Sequence, residues 1–119
     1  MQKSHYKQLL HERGICVVIP TYNNVNTILD VVKRTHIQCD DVIVVNDGCT
    51  DGTAELLREI SNITLVDYEK NEGKGTALKR GFKKAKEMGF SYAITLDADG
   101  QHYPEDIPLL LEANLKHPG

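Results

Sequence analysis

Four short apolar runs, each closed by a polar turn and each followed by a stretch with helical spacing, constrain this chain more than any other feature. They are Ile15-Cys16-Val17-Val18-Ile19, Asp41-Val42-Ile43-Val44-Val45, Ile63-Thr64-Leu65-Val66 and Tyr92-Ala93-Ile94-Thr95-Leu96. The runs lack the in-and-out alternation of a half-exposed strand, so they read as strands covered on both faces. Pro20 is expected to stop the first of them. Between them, apolar residues recur at i, i+3, i+4 and i+7, the stripe of an amphipathic helix. Val25, Ile28, Leu29 and Val32 form one such stripe, with Asn23 or Asn24 as its cap. Leu56, Leu57 and Ile60 form another, capped by Thr50 or Asp51. Leu78, Phe82, Ala85 and Met88 form a third, ended by Gly89, and Pro104 opens a last helix that turns Ile107, Leu110, Leu111 and Leu115 inward. Strands separated by helices in this way predict a doubly wound, mostly parallel α/β sheet with helices on both faces.

The chain has 119 residues, one domain by the usual prior of about 100–200 residues per domain. Residues 1–13 read as a polar lead and residues 14–119 as the domain. With 40% apolar and 26% charged residues and a net charge of −3, the composition is that of an ordinary globular domain. Lys83, Lys84 and Lys86 fall on a solvated helix face, and no basic block marks a nucleic-acid footprint. Nucleic acid is therefore excluded as a partner. Cys16, Cys39 and Cys49 form no C-x-x-C pair and leave an odd count, which argues against a disulfide framework or a zinc site and fits a reducing cytosol. No apolar run approaches the ~18 residues of a membrane span, and no secretory leader is visible.

In a doubly wound sheet, ligands bind at the carboxyl ends of the strands, near the switch in strand order. The polar residues with chemistry to offer stand at those ends: Pro20-Thr21-Tyr22-Asn23-Asn24, Asp47, Lys74, and the pair Asp97 and Asp99. Two carboxylates one residue apart form a hard-oxygen cage that leaves coordination sites on a divalent cation open for phosphate oxygens. By itself an Asp-x-Asp turn is more often a cap or turn former; the convergence of four loops on one rim favours a ligand site. Asp47 can accept hydrogen bonds from a nucleobase or from its own turn, and Tyr22 can pack along a base or shield the sheet edge. Lys74 can meet the base, the diphosphate or solvent. The first loop lacks the Gly-x-Gly-x-x-Gly of a dinucleotide site. Gly73-Lys74 is followed by Gly75 where a P-loop needs Ser or Thr.

Four blocks carry a family resemblance: Ile19-Pro20-Thr21-Tyr22-Asn23-Asn24, Val44 to Thr53, Asn71-Glu72-Gly73-Lys74-Gly75, and Leu96-Asp97-Ala98-Asp99-Gly100-Gln101-His102. In this order and spacing the chain, from Gly14 onward, resembles family 2 glycosyltransferases, nearest the branch of dolichyl- and polyprenyl-phosphate sugar transferases. The resemblance implies a GT-A, Rossmann-like fold, a nucleotide-sugar donor carrying UDP or GDP, and a Mg²⁺ or Mn²⁺ ion. It implies that Pro20, Thr21, Tyr22, Asn24 and Asp47 hold the base, that Lys74 lies near the base or diphosphate, and that Asp97 faces the ribose and the metal. Asp99 is then the principal metal ligand, with Gln101 a further oxygen ligand and His102 a loop-shaping residue. Asn24 stands where many members carry glutamate.

The acceptor implied is a lipid phosphate or a glycan, and the expected location is the cytoplasm, at the inner face of a membrane. The family inverts the sugar, so a hydroxyl acceptor requires a general base, expected beyond Gly119. The chain thus reads as the donor-binding half of a longer transferase, inactive by itself, with an uncovered fourth strand prone to self-association. A non-catalytic nucleotide-binding module is the alternative. A nucleotidyltransferase is weaker still, since the first loop has neither glycine nor a basic residue.

Overall fold

A computed structural model describes residues 3–100 and 103–108. Its four strands are β1 (Ile15–Thr21), β2 (Val42–Asp47), β3 (Thr64–Tyr68) and β4 (Tyr92–Thr95). They form one sheet, all parallel, in the order β3-β2-β1-β4. Helices α1 (Lys3–Glu12), α2 (Ile28–Gln38), α3 (Thr53–Arg58) and α4 (Lys74–Glu87) and a 3-10 turn at Pro104–Asp106 connect or cover the strands.

Every residue of β1 and β2 is buried, which is why their sequence runs are continuously apolar. Their side chains alternate between two cores. Ile15, Val17, Ile19, Val42 and Val44 pack with Leu10 of α1, Ile28, Val31 and Val32 of α2, Leu57 of α3, and Ile107. Cys16, Val18, Ile43 and Val45 face the other side, against Ala77 and Ala85 of α4. Each such Val or Ile contributes about 1.5–3 kcal/mol on full burial. The doubly wound α/β arrangement is as expected. Burial pushes the Cys16 and Cys39 thiols up to about 11, consistent with small buried hydrophobes.

Several boundaries differ from the sequence expectation. The first strand does not stop at Pro20; it runs through it to Thr21, with Pro20 opposite Val45. Val17 donates its N–H toward the β2 side, to Asp41, and Val18 accepts from Leu96 on the β4 side. Pro20 shares the parity of Val18, so its missing N–H falls on the β4 side, where pairing ends at Val18 and Thr95. The next bond of that ladder would need an N–H at residue 20. Proline cannot supply it, and the chain after Leu96 leaves the sheet.

The polar lead contains α1, because Tyr6, Leu9 and Leu10 recur at i, i+3 and i+4 and pack on the first core. Neither Asn23 nor Asn24 caps α2 with its side chain; the helix starts at Ile28. Asn23 is left-handed at φ 55°, and the Asn24 carbonyl receives the N–H groups of Thr27 and Ile28. Asp51, one of the two expected caps of α3, accepts from both the N–H and the hydroxyl of Thr53, with Gly52 between them at φ 100°. Helix α4 begins at Lys74, ahead of Leu78, the first residue of its expected stripe, and buries Ala77, Gly81 and Ala85. Phe82 and Met88, expected on its inner face, are exposed. Pro104 does open a turn, and Ile107 is buried. Leu110, Leu111 and Leu115 lie outside the described residues, as do Gln101 and His102.

Candidate functional site

The strand order places the switch between β1 and β4: the chain leaves β3 at one edge and returns as β4 on the far side of β1. At that end of the sheet lies an open pocket of about 390 Å³. Pro20, Thr21, Tyr22 and Asn24 line it from the end of β1, Asp47 from β2, and Asp97, Ala98 and Asp99 from the turn after β4. Asn71, Gly73, Lys74 and Ala77 complete it from the start of α4 and the loop before it. The site residues expected from sequence are thus brought to one cavity, except Gln101, which lies outside the described residues.

The turn after β4 is shaped by alternation. Leu96 and Ala98 are buried in the first core, which leaves Asp97 half-buried and Asp99 exposed between and beyond them. The Thr27 hydroxyl donates to the Ala98 carbonyl at 2.6 Å and pins the turn to the start of α2. Downstream, the Arg34 guanidinium grips both carboxylate oxygens of Glu105, with Nε at 2.9 Å from Oε2, and lies over the Tyr103 ring. The segment carrying the acidic pair is therefore fastened to α2 at both ends. Across the pocket mouth, Lys74 Nζ stands 2.5 Å from Asp97 Oδ1.

Asp97 and Asp99 offer hard oxygens on an open wall, a donor set that suits Mg²⁺ or Mn²⁺ completed by water and phosphate. Among the described residues no three carboxylate, histidine or cysteine side chains gather into a closed metal cage.

Asp47 is only 2% exposed, and its carboxylate is the joint between two loops. Oδ1 accepts from the N–H of Glu72 at 2.8 Å, and Oδ2 from the N–H of Gly73 and the side-chain amide of Asn71, each at 3.0 Å. The Asn71 amide also donates to the Asp47 carbonyl. Gly48 follows at φ +66°, and a Cβ there would come within 2.3 Å of the Asn71 nitrogen, so glycine is required for the two loops to touch. Asn71, which sequence analysis assigns no role, is a site residue whose spacing carries no sign that it reaches back to β2. Glu72 is held in turn by Arg80 at 2.8 Å, and Arg80 stacks 4.3 Å over the Tyr68 ring. Burial, and then the nearby Asp47 carboxylate, raise the Tyr68 hydroxyl well above its ordinary range.

The first loop is braced from the other side. Asn24 accepts from the Thr21 hydroxyl at 2.8 Å and from the Tyr22 N–H. Asn23 exchanges bonds with Thr50, and Asp51 accepts from the Val25 N–H. Despite some desolvation, hydrogen bonds from Thr53 and Val25 hold the Asp51 carboxyl below its usual value. These contacts leave Tyr22 half-exposed on the pocket wall.

The model of the family described as Glycosyl transferase family 2 matches residues 16–118. A UDP-N-acetylglucosamine–dolichyl-phosphate N-acetylglucosaminyltransferase of Methanococcus voltae is 33% identical, over 85% of this chain and 47% of its own length. A polyprenol monophosphomannose synthase of Mycolicibacterium smegmatis is 36% identical, over 82% of this chain and 39% of its own. The chain thus spans less than half the length of these curated relatives. Among solved structures, glucosyl-3-phosphoglycerate synthase of Mycobacterium tuberculosis in complex with Mn²⁺, UDP and phosphoglyceric acid superposes with a TM-score of 0.71 at 22% identity. That match covers 99% of this chain and 44% of the other.

Proposed function

The chain belongs to glycosyl transferase family 2 and has a GT-A fold, and from that premise we propose that it is the donor-binding part of an inverting, cation-dependent transferase. The donor is a nucleoside-diphosphate sugar with UDP or GDP, and the acceptor a lipid phosphate or a glycan. One observation carries the reading: a single pocket at the switch point combines two outward carboxylates, a lysine at the head of a helix, and a loop with an exposed tyrosine. Such a wall can contact base, diphosphate and cation together. The names of the relatives, and Mn²⁺ with UDP in the structural neighbour, support the substrate class.

Each residue has a part in this reading. Pro20, Thr21, Tyr22 and Asn24 wall the base, with Tyr22 offering its ring face. Asp47 fixes the loop of Asn71 and Gly73 and presents what remains of its accepting capacity to the base. Lys74 offset charge on the diphosphate. Asp97 and Asp99 would hold Mg²⁺ or Mn²⁺, with Gln101 as a further oxygen, and Asp97 would also meet the ribose. The bound cation supplies Lewis-acid stabilisation of the charge that grows on the departing diphosphate. A lipid-phosphate acceptor is already anionic and needs less help from a general base than a hydroxyl does. No helix among the described residues is long and apolar enough to cross a membrane. With a lipid acceptor, the domain would work against the inner face of one.

Calorimetric titration of UDP and GDP, with Mn²⁺ or Mg²⁺ and again with EDTA, tests the reading. Binding of one nucleotide with the cation, and loss of at least tenfold in affinity without it, is expected. Equal affinity in both conditions overturns it.

A further inference from the structure

The ion pair between Lys74 and Asp97 joins the two walls of the pocket, the head of α4 and the turn after β4. It places the cation of one side chain on a carboxylate that the proposed function assigns to a metal. We propose that Lys74 is a positioning residue that couples cation and nucleotide binding: it occupies Asp97 in the empty site and moves to the diphosphate when the donor enters.

Charge accounting supports this, and the inference rests on the donor-site reading above. A cation arriving alone must displace an ammonium 2.5 Å from Asp97 Oδ1, and it meets the repulsion of that ammonium if it stays nearby. A diphosphate arriving alone is drawn by Lys74 but repelled by Asp97 and Asp99. When both arrive, one ion pair is exchanged for two, Lys74 with phosphate and Asp97 with the cation. Each ligand therefore strengthens the other, as binding linkage requires. The geometry permits the exchange. The Lys74 side chain is 62% exposed and flexible, whereas Asp97 is 28% exposed and held by its buried neighbours Leu96 and Ala98. The lysine moves and the carboxylate stays.

The test is the affinity of Mn²⁺ alone, followed by the paramagnetic resonance of the free ion, and then the change in that affinity when UDP or GDP is present. Lys74→Met is expected to bind Mn²⁺ alone between about twofold and fivefold tighter than the unaltered chain. It should also show a smaller gain on adding nucleotide. Lys74→Arg, which keeps the charge, should retain a larger gain on adding nucleotide than Lys74→Met does. Lys83→Met, which removes an equal charge from the outer face of α4, should change Mn²⁺ affinity by less than Lys74→Met. In an Asp97→Asn background, Lys74→Met should raise Mn²⁺ affinity by less than it does alone, because the ion pair is already absent and only the ammonium's repulsion is left to remove. An unchanged or weaker Mn²⁺ affinity in Lys74→Met, or an equal gain in Lys83→Met, overturns the coupling while leaving the donor site standing. Failure of every variant and of the unaltered chain to bind Mn²⁺ with UDP or GDP overturns the donor-site reading, and the coupling with it.

Discussion

Asp47 closes β2 and Asp99 stands in the turn after β4, yet their surroundings give these two acidic residues opposite tasks. Asp47 is buried and accepts three N–H groups from the loop of Asn71 to Gly73, so its removal leaves those donors with no partner. Asp47→Ala is expected to lower stability by about 1–3 kcal/mol, read from urea unfolding. If the carboxylate also serves the base, the same change should flatten the ranking of UDP, GDP and CDP and weaken the preferred one roughly tenfold. A lowered stability with an unchanged ranking would confine Asp47 to the loop. Asp99 is exposed, and surface substitutions of this kind typically stay within about 0.5 kcal/mol. Asp99→Ala should leave the unfolding midpoint in place and abolish the effect of Mn²⁺ on nucleotide affinity. A retained Mn²⁺ effect would remove Asp99 from the cation site.

Helix α4 shows how an element can be legible in the sequence while its orientation is not. Its existence follows from spacing, but the bulky residues Phe82 and Met88 point outward and the small ones, Ala77, Gly81 and Ala85, point in. Gly81 explains why: a Cβ there would lie 2.5 Å from Val18 Cγ1 and 3.1 Å from Val45 Cγ2. The helix lies so close to the sheet that only small side chains fit, a condition that a search for large apolar residues inverts. Gly81→Ala should destabilise the chain by about 1–3 kcal/mol through overpacking, against a helix-propensity gain of up to about 1 kcal/mol. A stability equal to or above that of the unaltered chain would show that the helix can move away at no cost. The strands were legible because β1 and β2 are buried on both faces, so burial alone dictates their composition. The convergence of Tyr22, Asp47, Lys74 and Asp97 was legible for a related reason: in a parallel sheet the loops after the strands share one end. Pairwise contacts were not. Nothing in spacing reveals that Asn71 reaches back to Asp47, that Lys74 meets Asp97, or that Pro20 sits at the parity where its missing N–H releases the chain after β4.

At the scale of the whole molecule, charge and the sheet edges govern behaviour in solution. The Arg58 guanidinium, and then the Asn46 amide, hold the Asp67 carboxyl below its usual range. A depressed carboxyl contributes stability that is present above its unfolded pKa, near 3.8, and is lost as pH falls through the folded value. Asp51 acts in the same sense. His11 acts oppositely. Its hydrogen bond to Asp41 raises its pKa above 6.5, so its contribution is full below that pH and disappears as pH rises through the folded value. Melting temperature against pH should therefore fall on the acid side below about pH 4, and Asp67→Asn should blunt that fall. An acid limb identical in Asp67→Asn would assign it to other carboxylates. The sheet edges carry the last expectation. Among the described residues, β3 and β4 each pair on one side only, but β3 includes Asp67 whereas β4, Tyr-Ala-Ile-Thr, has no charge. Tyr92 of β4 is 51% exposed beside exposed Phe82, in a groove that Phe90 and Ala93 also line. An uncharged, apolar strand edge is a template for pairing with a second copy, and lysine on such an edge is the usual defence. The chain should therefore self-associate with rising concentration in sedimentation velocity, despite its net charge of −3. Tyr92→Lys should shift it toward monomer, while Lys83→Met on the outer face of α4 should not. A chain that stays monomeric throughout, or one whose association ignores Tyr92→Lys, would show that β4 is not the contact.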